Sequence, residues 1–331
     1  MRKKLGVLDF GASEVRLFIG EKKSDGEFRI LGAGEAQTRG VSRGEIVHLG
    51  DAAEAVLEAA RKAERSAGTP ISTLYFNFDD PAMESVRGTG AIALKGEGEI
   101  GPRDVESACD TARRLVAHFE KQAVYACELG FVIDEKDPVA NPVGVYGSKL
   151  EVRMHLIQAR SACLEAWKGL MRRAHFEGAV AVLSAWSTAY GILPKADRGR
   201  KTLAVDLGSD FLNSFVFANH RIVAYHTALT PPVLSEAPRS LAAQIRSWKG
   251  DYPELDRVLV AGDLAVQKEW ADALGDESPL PVQVAGPWAV PKLGSPRFAS
   301  IAGLLEVAAE LEWQSAGLHR NHGMRSEEAH V

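Results

Sequence analysis

Two segments of this chain share one layout: an apolar strand ends in Asp-x-Gly and then doubles back into a second apolar strand. They are GVLDFGASEVRLFIG at 6–20 and TLAVDLGSDFLNSFVFANHRIV at 202–223. Glycine lets backbone N–H groups approach a phosphate, and the aspartate can hold a hydrated Mg²⁺. Taken alone, either hairpin is most simply explained as an ordinary turn between two strands, with no role in binding. Together, in the same order and polarity, they predict two lobes that grip the phosphates of a nucleotide from both sides.

Length, charge and cysteine content exclude several classes of protein. The chain has 331 residues, enough for two domains, and its net charge of −5 creates no field that draws nucleic acid. Cys109, Cys127 and Cys163 are odd in number and match no metal-binding spacing, which favours reduced thiols in a cytoplasmic protein. No window approaches eighteen apolar residues, so we expect no transmembrane segment.

Changes in composition along the chain predict a first lobe interrupted by a compact α+β insert, and a second lobe that follows the polar linker PKADRGRK. The expected divisions are 1–80 for the first part of lobe one, 81–158 for the insert, 159–195 for the rest of lobe one, 200–310 for a shortened second lobe, and 314–331 for a polar, disordered tail.

Local periodicity predicts individual elements within these divisions. DAAEAVLEAARKAERS at 51–66 reads as a helix that Gly68 ends. In GSKLEVRMHLIQAR at 147–160, apolar and polar residues alternate as they do in a half-buried strand. His155 is expected on the polar side of this strand as a packing residue. The apolar face of this strand comprises Leu150, Val152, Met154 and Leu156.

Three further segments carry a resemblance to a known family. LDFGASEVRLFIG, NPVGVYGSKLEVRMHLIQA and PRFASIAGLLEVAAE resemble the actin-like ATPase superfamily and, within it, the bacterial cell-division protein FtsA. The second segment is the most specific, since in that family it closes the insertion subdomain that distinguishes FtsA from actin. The resemblance implies an α/β, actin-like (ribonuclease H-like) fold of two lobes with an FtsA-type insertion subdomain. It also implies partners among cell-division or envelope-assembly proteins, and self-association through the insert.

The resemblance further implies a set of nucleotide-binding positions in three turns. These are Asp9, Gly11, Ser13, Arg16, Asp206, Gly208, Ser209 and Gly262. Asp9 and Asp206 would hold Mg²⁺ if ATP binds. The alternative is that both aspartates only cap or brace their turns. Gly11 and Gly208 are expected at positive φ whether or not a ligand binds.

Several departures from the family pattern argue against a working ATPase. The second turn lacks two glycines and both threonines of the family's Asp-x-Gly-Gly-Gly-Thr-Thr-Asp, and Asp210 would place a carboxylate near the phosphates. Only about 45 residues separate Asn213 from Val258, where the family has a subdomain that roofs the nucleotide and receives the tail of FtsZ. The segment after Trp313 has no apolar face, so no membrane-targeting helix is expected.

We therefore predict a scaffold or interaction protein of bacterial cell division or envelope assembly, with degenerate nucleotide machinery, no catalysis and no cofactor. The alternative is an actin-like, filament-forming protein that retains weak binding of ATP and Mg²⁺. A kinase-like or hydrolysing enzyme is a third class, but the sequence shows no Lys/Asp constellation for phosphoryl transfer.

Overall fold

The computed structural model describes residues 3–24, 26–231 and 236–327. The chain begins with three antiparallel strands, a small hairpin, a helix and a strand that returns parallel to the first. These elements are β1 (Lys4–Phe10), β2 (Glu14–Lys22), β3 (Phe28–Gln37), β4 (Val41–Ser42), β5 (Glu45–Ile46), α1 (Leu49–Ala67) and β6 (Leu74–Phe78). Helix α1 ends at Gly68, whose φ of 63° places it in the left-handed region, as the sequence predicts.

The insert follows β6 and forms an antiparallel sheet with one helix packed on it. Its elements are β7 (Glu84–Glu99), α2 (Pro102–Leu115), β8 (Lys121–Ile133) and β9 (Tyr146–Arg160), with β9 central in the sheet. The predicted apolar face of β9 is confirmed, because its four residues are buried in a core of the insert's own. His155 is a packing residue, as predicted, but the prediction that it lies on a polar side is wrong: the side chain is only 1% exposed, since the second lobe covers that face.

The rest of the chain completes lobe one and builds the second lobe. It comprises α3 (Ser161–Arg173), β10 (Val180–Leu183), α4 (Ser184–Ile192), β11 (Thr202–Leu207), β12 (Phe211–Ala218), β13 (Arg221–Leu229), α5 (Ala237–Asp251), β14 (Val258–Ala261), α6 (Lys268–Glu277), β15 (Val282–Val284) and α7 (Ala299–Glu327). Between β13 and β14 the described residues form the single helix α5, whose Trp248 is buried in the core of the second lobe.

The two lobes have the same topology. The first sheet has the order β3-β2-β1-β6-β10 and the second the order β13-β12-β11-β14-β15. In each, the central strand pairs antiparallel with its hairpin partner and parallel with the strand on its other side. Ligands of such sheets bind outside the carboxyl ends of the strands. This topology therefore places Asp9 and Asp206, at the ends of β1 and β11, in equivalent positions.

Helices α4 and α7 join the lobes by crossing backbone to backbone. A Cβ on Gly303 would lie 1.8 Å from the carbonyl oxygen of Ser187, and one on Gly191 would lie 1.9 Å from that of Ala299. Only glycine permits this approach. Helix α4 follows the first lobe and contacts the second sheet, whereas α7 follows the second lobe and packs on β1 and β6.

The expected disorder of the tail at 314–331 is not found over 314–327, where the backbone continues α7 to Glu327. That segment contains no proline, the residue that most strongly breaks a helix. Residues 328–331 lie outside the described part of the chain. Among the helices of the described residues, none has the length and apolar character needed to cross a membrane.

Candidate functional site in the cleft between the lobes

The fold brings the predicted positions together at one cleft. Seven of the eight line it, namely Asp9, Gly11, Arg16, Asp206, Gly208, Ser209 and Gly262. Ser13 lies at the cleft's mouth. Asp79 and Asn77 also line the cleft and were not predicted from the sequence, although the carboxyl end of β6, next to β1, is where such residues are expected. Arg297 and Ser300 were not predicted either, since no local pattern exists for them.

Three carboxyl groups face one another at the floor of the cleft: Asp206 is buried, and Asp9 and Asp79 are half-buried. Asp9 accepts a hydrogen bond from Asn77 Nδ2 at 3.0 Å, and Asp206 accepts one from Thr188 Oγ1 at 2.6 Å. Burial raises the pKa of Asp79 to about 6 and that of Asp206 to about 7. Burial also raises the pKa of Asp9, against the opposing effect of Arg16. The floor is therefore an acidic cluster that holds protons near neutral pH.

Arg16 lies beside Asp9 in the wall of the cleft. Its side chain is 2 % exposed, and its Nη1 lies 3.7 Å from Asp9 Oδ2. Its Nη2 donates to Asp263 Oδ1 of the second lobe at 3.1 Å and to Glu14 Oε2 at 3.2 Å. Arg297 of the second lobe donates to the same oxygen of Glu14 at 2.5 Å. The cationic group nearest Asp9 is thus a side chain of the protein itself. Ion pairs of alternating charge connect the two lobes.

Phe211 closes the cleft from the other lobe. A Cβ on Gly44, in the turn between β4 and β5, would lie 2.4 Å from Phe211 Cζ, and φ of Gly44 is 78°. Trp167 holds this turn by donating from Nε1 to the carbonyl oxygen of Gly44 at 3.1 Å. The aromatic ring of the second turn therefore packs directly on the first lobe.

The backbone conformations of the two glycines in the Asp-x-Gly turns differ from the prediction. Neither Gly11 nor Gly208 has a positive φ, so that prediction is wrong. Instead, each N–H closes its own turn, Gly11 to the carbonyl oxygen of Glu14 at 3.0 Å and Gly208 to that of Phe211 at 2.9 Å. A Cβ on Gly208 would lie 2.8 Å from the oxygen of Phe211, so tight closure is the reason for glycine there.

The enclosed space at the floor of the cleft is small compared with that of ordinary ligand pockets. Its volume is about 90 Å³, whereas pockets for small-molecule ligands typically measure about 300–1,000 Å³. Within 3–24, 26–231 and 236–327, no group of three or more His, Cys, Asp or Glu side chains is placed to hold a metal ion. The N–H groups of Gly11 and Gly208 are already paired. The predicted binding residues are brought together, and Asp9, Arg16 and Asp206 are each paired with other side chains of the protein.

Two sheets of identical order, crossed by a helix pair and facing each other across an acidic cleft, define the actin-like ATPase fold. Among solved structures, the PilM-PilN type IV pilus biogenesis complex superposes with a TM-score of 0.66 and 14% identity, covering 92% of this chain and 98% of that chain. The ethanolamine utilization protein EutJ from Carboxydothermus hydrogenoformans superposes with a TM-score of 0.53 and 12% identity, covering 92% of this chain and 89% of that chain. At these identities the likeness establishes the fold alone.

Within that class the chain is FtsA-like. Residues 82–158 match the family model of the SHS2 domain inserted in FtsA. Cell division protein FtsA of Pseudomonas aeruginosa is 24% identical over 245 residues, 74% of this chain and 58% of that protein. FtsA of Neisseria meningitidis is 24% identical over 246 residues, which are 74% of this chain and 59% of that protein. FtsA of Borreliella burgdorferi is 22% identical over 259 residues, 78% of this chain and 62% of that protein. The chain thus matches about three fifths of the length of these relatives.

Proposed function

We propose that this protein is a non-catalytic, actin-like scaffold that works with other proteins of bacterial cell division or envelope assembly in the cytoplasm. The observation that carries the proposal is the occupation of the cleft by the chain's own side chains. Arg16 lies between Asp9 and Asp263, where charge would be needed for phosphate or metal, and Phe211 packs on Gly44.

The electrostatics of the cleft support this proposal. Phosphoryl transfer depends on cations and N–H groups that are aimed at developing negative charge. Here the two cleft arginines are bonded to Glu14 and Asp263. Asp206 has a pKa of about 7 because it is buried, so about half of it is neutral at neutral pH. A hydrated Mg²⁺ would have to displace a proton to bind this carboxyl group.

Thermal unfolding with MgATP tests the proposal against the alternative of weak nucleotide binding. We expect no change in the midpoint temperature, because a ligand that is excluded from the folded state cannot stabilise it. A ligand at a hundred times its dissociation constant would add about 2.7 kcal/mol. Magnesium sulfate and ATP with a chelator are the matched controls. A saturable rise with MgATP that Asp9→Ala abolishes would favour the weak-binding alternative.

The same preparation tests for turnover. We expect no steady release of phosphate from ATP above that of buffer. Release that is lost in both Asp9→Ala and Asp206→Ala variants would contradict the proposal and establish a hydrolysing enzyme.

We also propose that the insert supplies the contact surface for partners or for self-association, as its resemblance to the FtsA domain suggests. The part of the insert farthest from β13 and the cleft exposes Val143, Val145 and Tyr146, the last at 65%. Analytical ultracentrifugation of wild type and of a Val145→Ser/Tyr146→Ser variant tests self-association. Weaker association is expected in that variant and not in Leu115→Ser/Phe119→Ser, at the other end of the insert. Equal association in all three would contradict a self-association role.

A further inference from the structure

The insert belongs to the first lobe by sequence, because it lies between β6 and α3, yet its sheet also contacts β13 of the second lobe. The contacts converge on one residue of β13. The N–H of Ile222 donates to Tyr125 Oη at 2.9 Å. Its carbonyl oxygen accepts from His155 Nδ1 at 2.7 Å and from Cys127 Sγ at 3.4 Å. Three side chains of the insert thus satisfy both backbone groups of Ile222.

His155 is held in one tautomer by this arrangement. Burial lowers its pKa, so the ring is neutral. The carbonyl oxygen of Ile222 can only accept, so Nδ1 carries the hydrogen, and Nε2 accepts from Ser85 Oγ at 2.7 Å. Both ring nitrogens are used, and neither is available to a ligand. The hydrogen bond between His155 and Ile222 therefore has a fixed direction, from Nδ1 of the ring to the carbonyl oxygen of Ile222.

The position of Ile222 explains why such a contact is needed. Strand β13 is at the edge of the second sheet, and edge strands present unpaired N–H and C=O groups. Arg221 strengthens the contact by donating to the carbonyl oxygen of Glu128 at 2.7 Å and pairing with its carboxylate at 3.2 Å. The insert covers this edge with side chains instead of a further strand.

A second buried contact between the insert and β13 reaches the floor of the cleft. Tyr225 Oη, on β13, lies 3.3 Å from Met83 Sδ of the insert and 3.1 Å from Asn213 Oδ1 on β12. Asn213 Nδ2 in turn donates to Asp79 Oδ1, at the floor of the cleft, at 3.0 Å. The neighbouring Asp80 binds Arg160 at the base of the insert. Insert, second sheet and cleft floor are therefore in continuous contact.

We propose that the insert is a clamp that holds the two lobes closed. It is joined covalently to the first lobe and bound through Ile222 to the second, so the lobes cannot separate while this contact persists. A partner that pulls the insert from β13 would favour opening of the cleft by removing one of the contacts between the lobes, and one that binds insert and β13 together would keep it shut. The proposal does not depend on whether nucleotide binds.

Hydrogen exchange of the full-length protein tests the clamp. His155→Leu leaves the carbonyl oxygen of Ile222 without its main donor. We expect amide exchange to rise about tenfold or more, a factor typical of an unpaired buried group. The rise should appear in β13 and also in the cleft turns at 40–47 and 208–213. His155→Asn, whose amide can still donate to Ile222, should restore much of the protection.

Two further variants separate the clamp from general loss of stability. Val152→Ala removes buried methyl groups from the insert's own core without touching β13, and should raise exchange in the insert but not in the cleft turns. Tyr125→Phe removes one hydroxyl and serves if His155→Leu fails to fold; it should give a smaller rise in the same segments. Unchanged cleft turns in both clamp variants, or an equal rise in Val152→Ala, would overturn the proposal.

Discussion

Arg16 sets the electrostatic balance of the cleft. It is almost fully buried, and carboxylates from both lobes, Asp9 and Asp263, surround it. Removing one member of a buried ion group leaves the others without compensation, which costs more than the pair contributes. The same residue that a sequence comparison assigns to a nucleotide thus has a structural role here.

The first prediction concerns this arginine. Arg16→Met should lower the free energy of unfolding by about 2–3 kcal/mol, less than for fully buried pairs because the carboxylate partners are partly exposed. Urea denaturation measures the change. Arg39→Met, which breaks an exposed pair with Glu58, is the matched control and should cost under about 1 kcal/mol. Equal losses in the two variants would show that Arg16 is no more important than a surface residue.

The second prediction concerns pH. The pKa of Asp79 is about 6 and that of Asp206 about 7 in the folded state, both above the ordinary value of an aspartate. Between pH 4 and 7 these two groups bind more protons in the folded state than in the unfolded state, so their contribution to the free energy of unfolding falls as pH rises. In urea titrations from pH 5 to 8, the difference in the free energy of unfolding between wild type and Asp206→Asn should therefore change with pH. Asp134→Asn, whose aspartate has a lowered pKa, should leave the pH dependence unchanged.

At the scale of elements, local sequence patterns predicted where helices and strands form. Contacts between distant segments decide which of their faces are covered and which residues reach the cleft. The alternation of β9 and the apolar face of α1 are period-2 and helical signals, and both elements form where the sequence places them. The covered face of β9 was missed because its cover, β13, is about seventy residues away in sequence. Asp79 and Arg297 were missed for the same reason, since parallel strand pairing and the start of α7 bring them to the cleft.

The crossing of α4 and α7 gives a prediction at this scale. Gly303→Ala should lower the free energy of unfolding by about 1–3 kcal/mol or more, because the added methyl group meets the backbone of α4 and neither helix can move without disturbing its lobe. Gly275→Ala in α6 is the control, since a Cβ there meets nothing within 4 Å. It should be neutral or stabilise by up to about 1 kcal/mol. Denaturant titration compares the two, and a neutral Gly303→Ala would mean that the helices are not tightly apposed.

For the whole molecule, three sets of contacts hold the lobes together in addition to the crossing of α4 and α7. The charges of Arg16 and Arg297 connect them across the cleft, Phe211 packs on Gly44, and the insert binds β13. A nucleotide-driven actin-like protein needs lobes that separate to exchange ligand, whereas these contacts favour one closed arrangement. The sequence predicted the two lobes from their repeated hairpins. It could not predict their closure, because side chains from distant segments produce it.

The last prediction concerns the region between β13 and β14. The resemblance to FtsA implies that the tail of FtsZ is received there by a subdomain, but the described residues of this region form only α5. Its Trp248 is 6% exposed and packs in the core of the second lobe, so it is not free to anchor a peptide. We expect no saturable micromolar binding of an FtsZ C-terminal peptide by fluorescence anisotropy, with a scrambled peptide and a full-length FtsA as controls. Saturable binding that is weakened by surface substitutions on α5, such as Gln244→Ala, would reveal a replacement site and contradict this prediction.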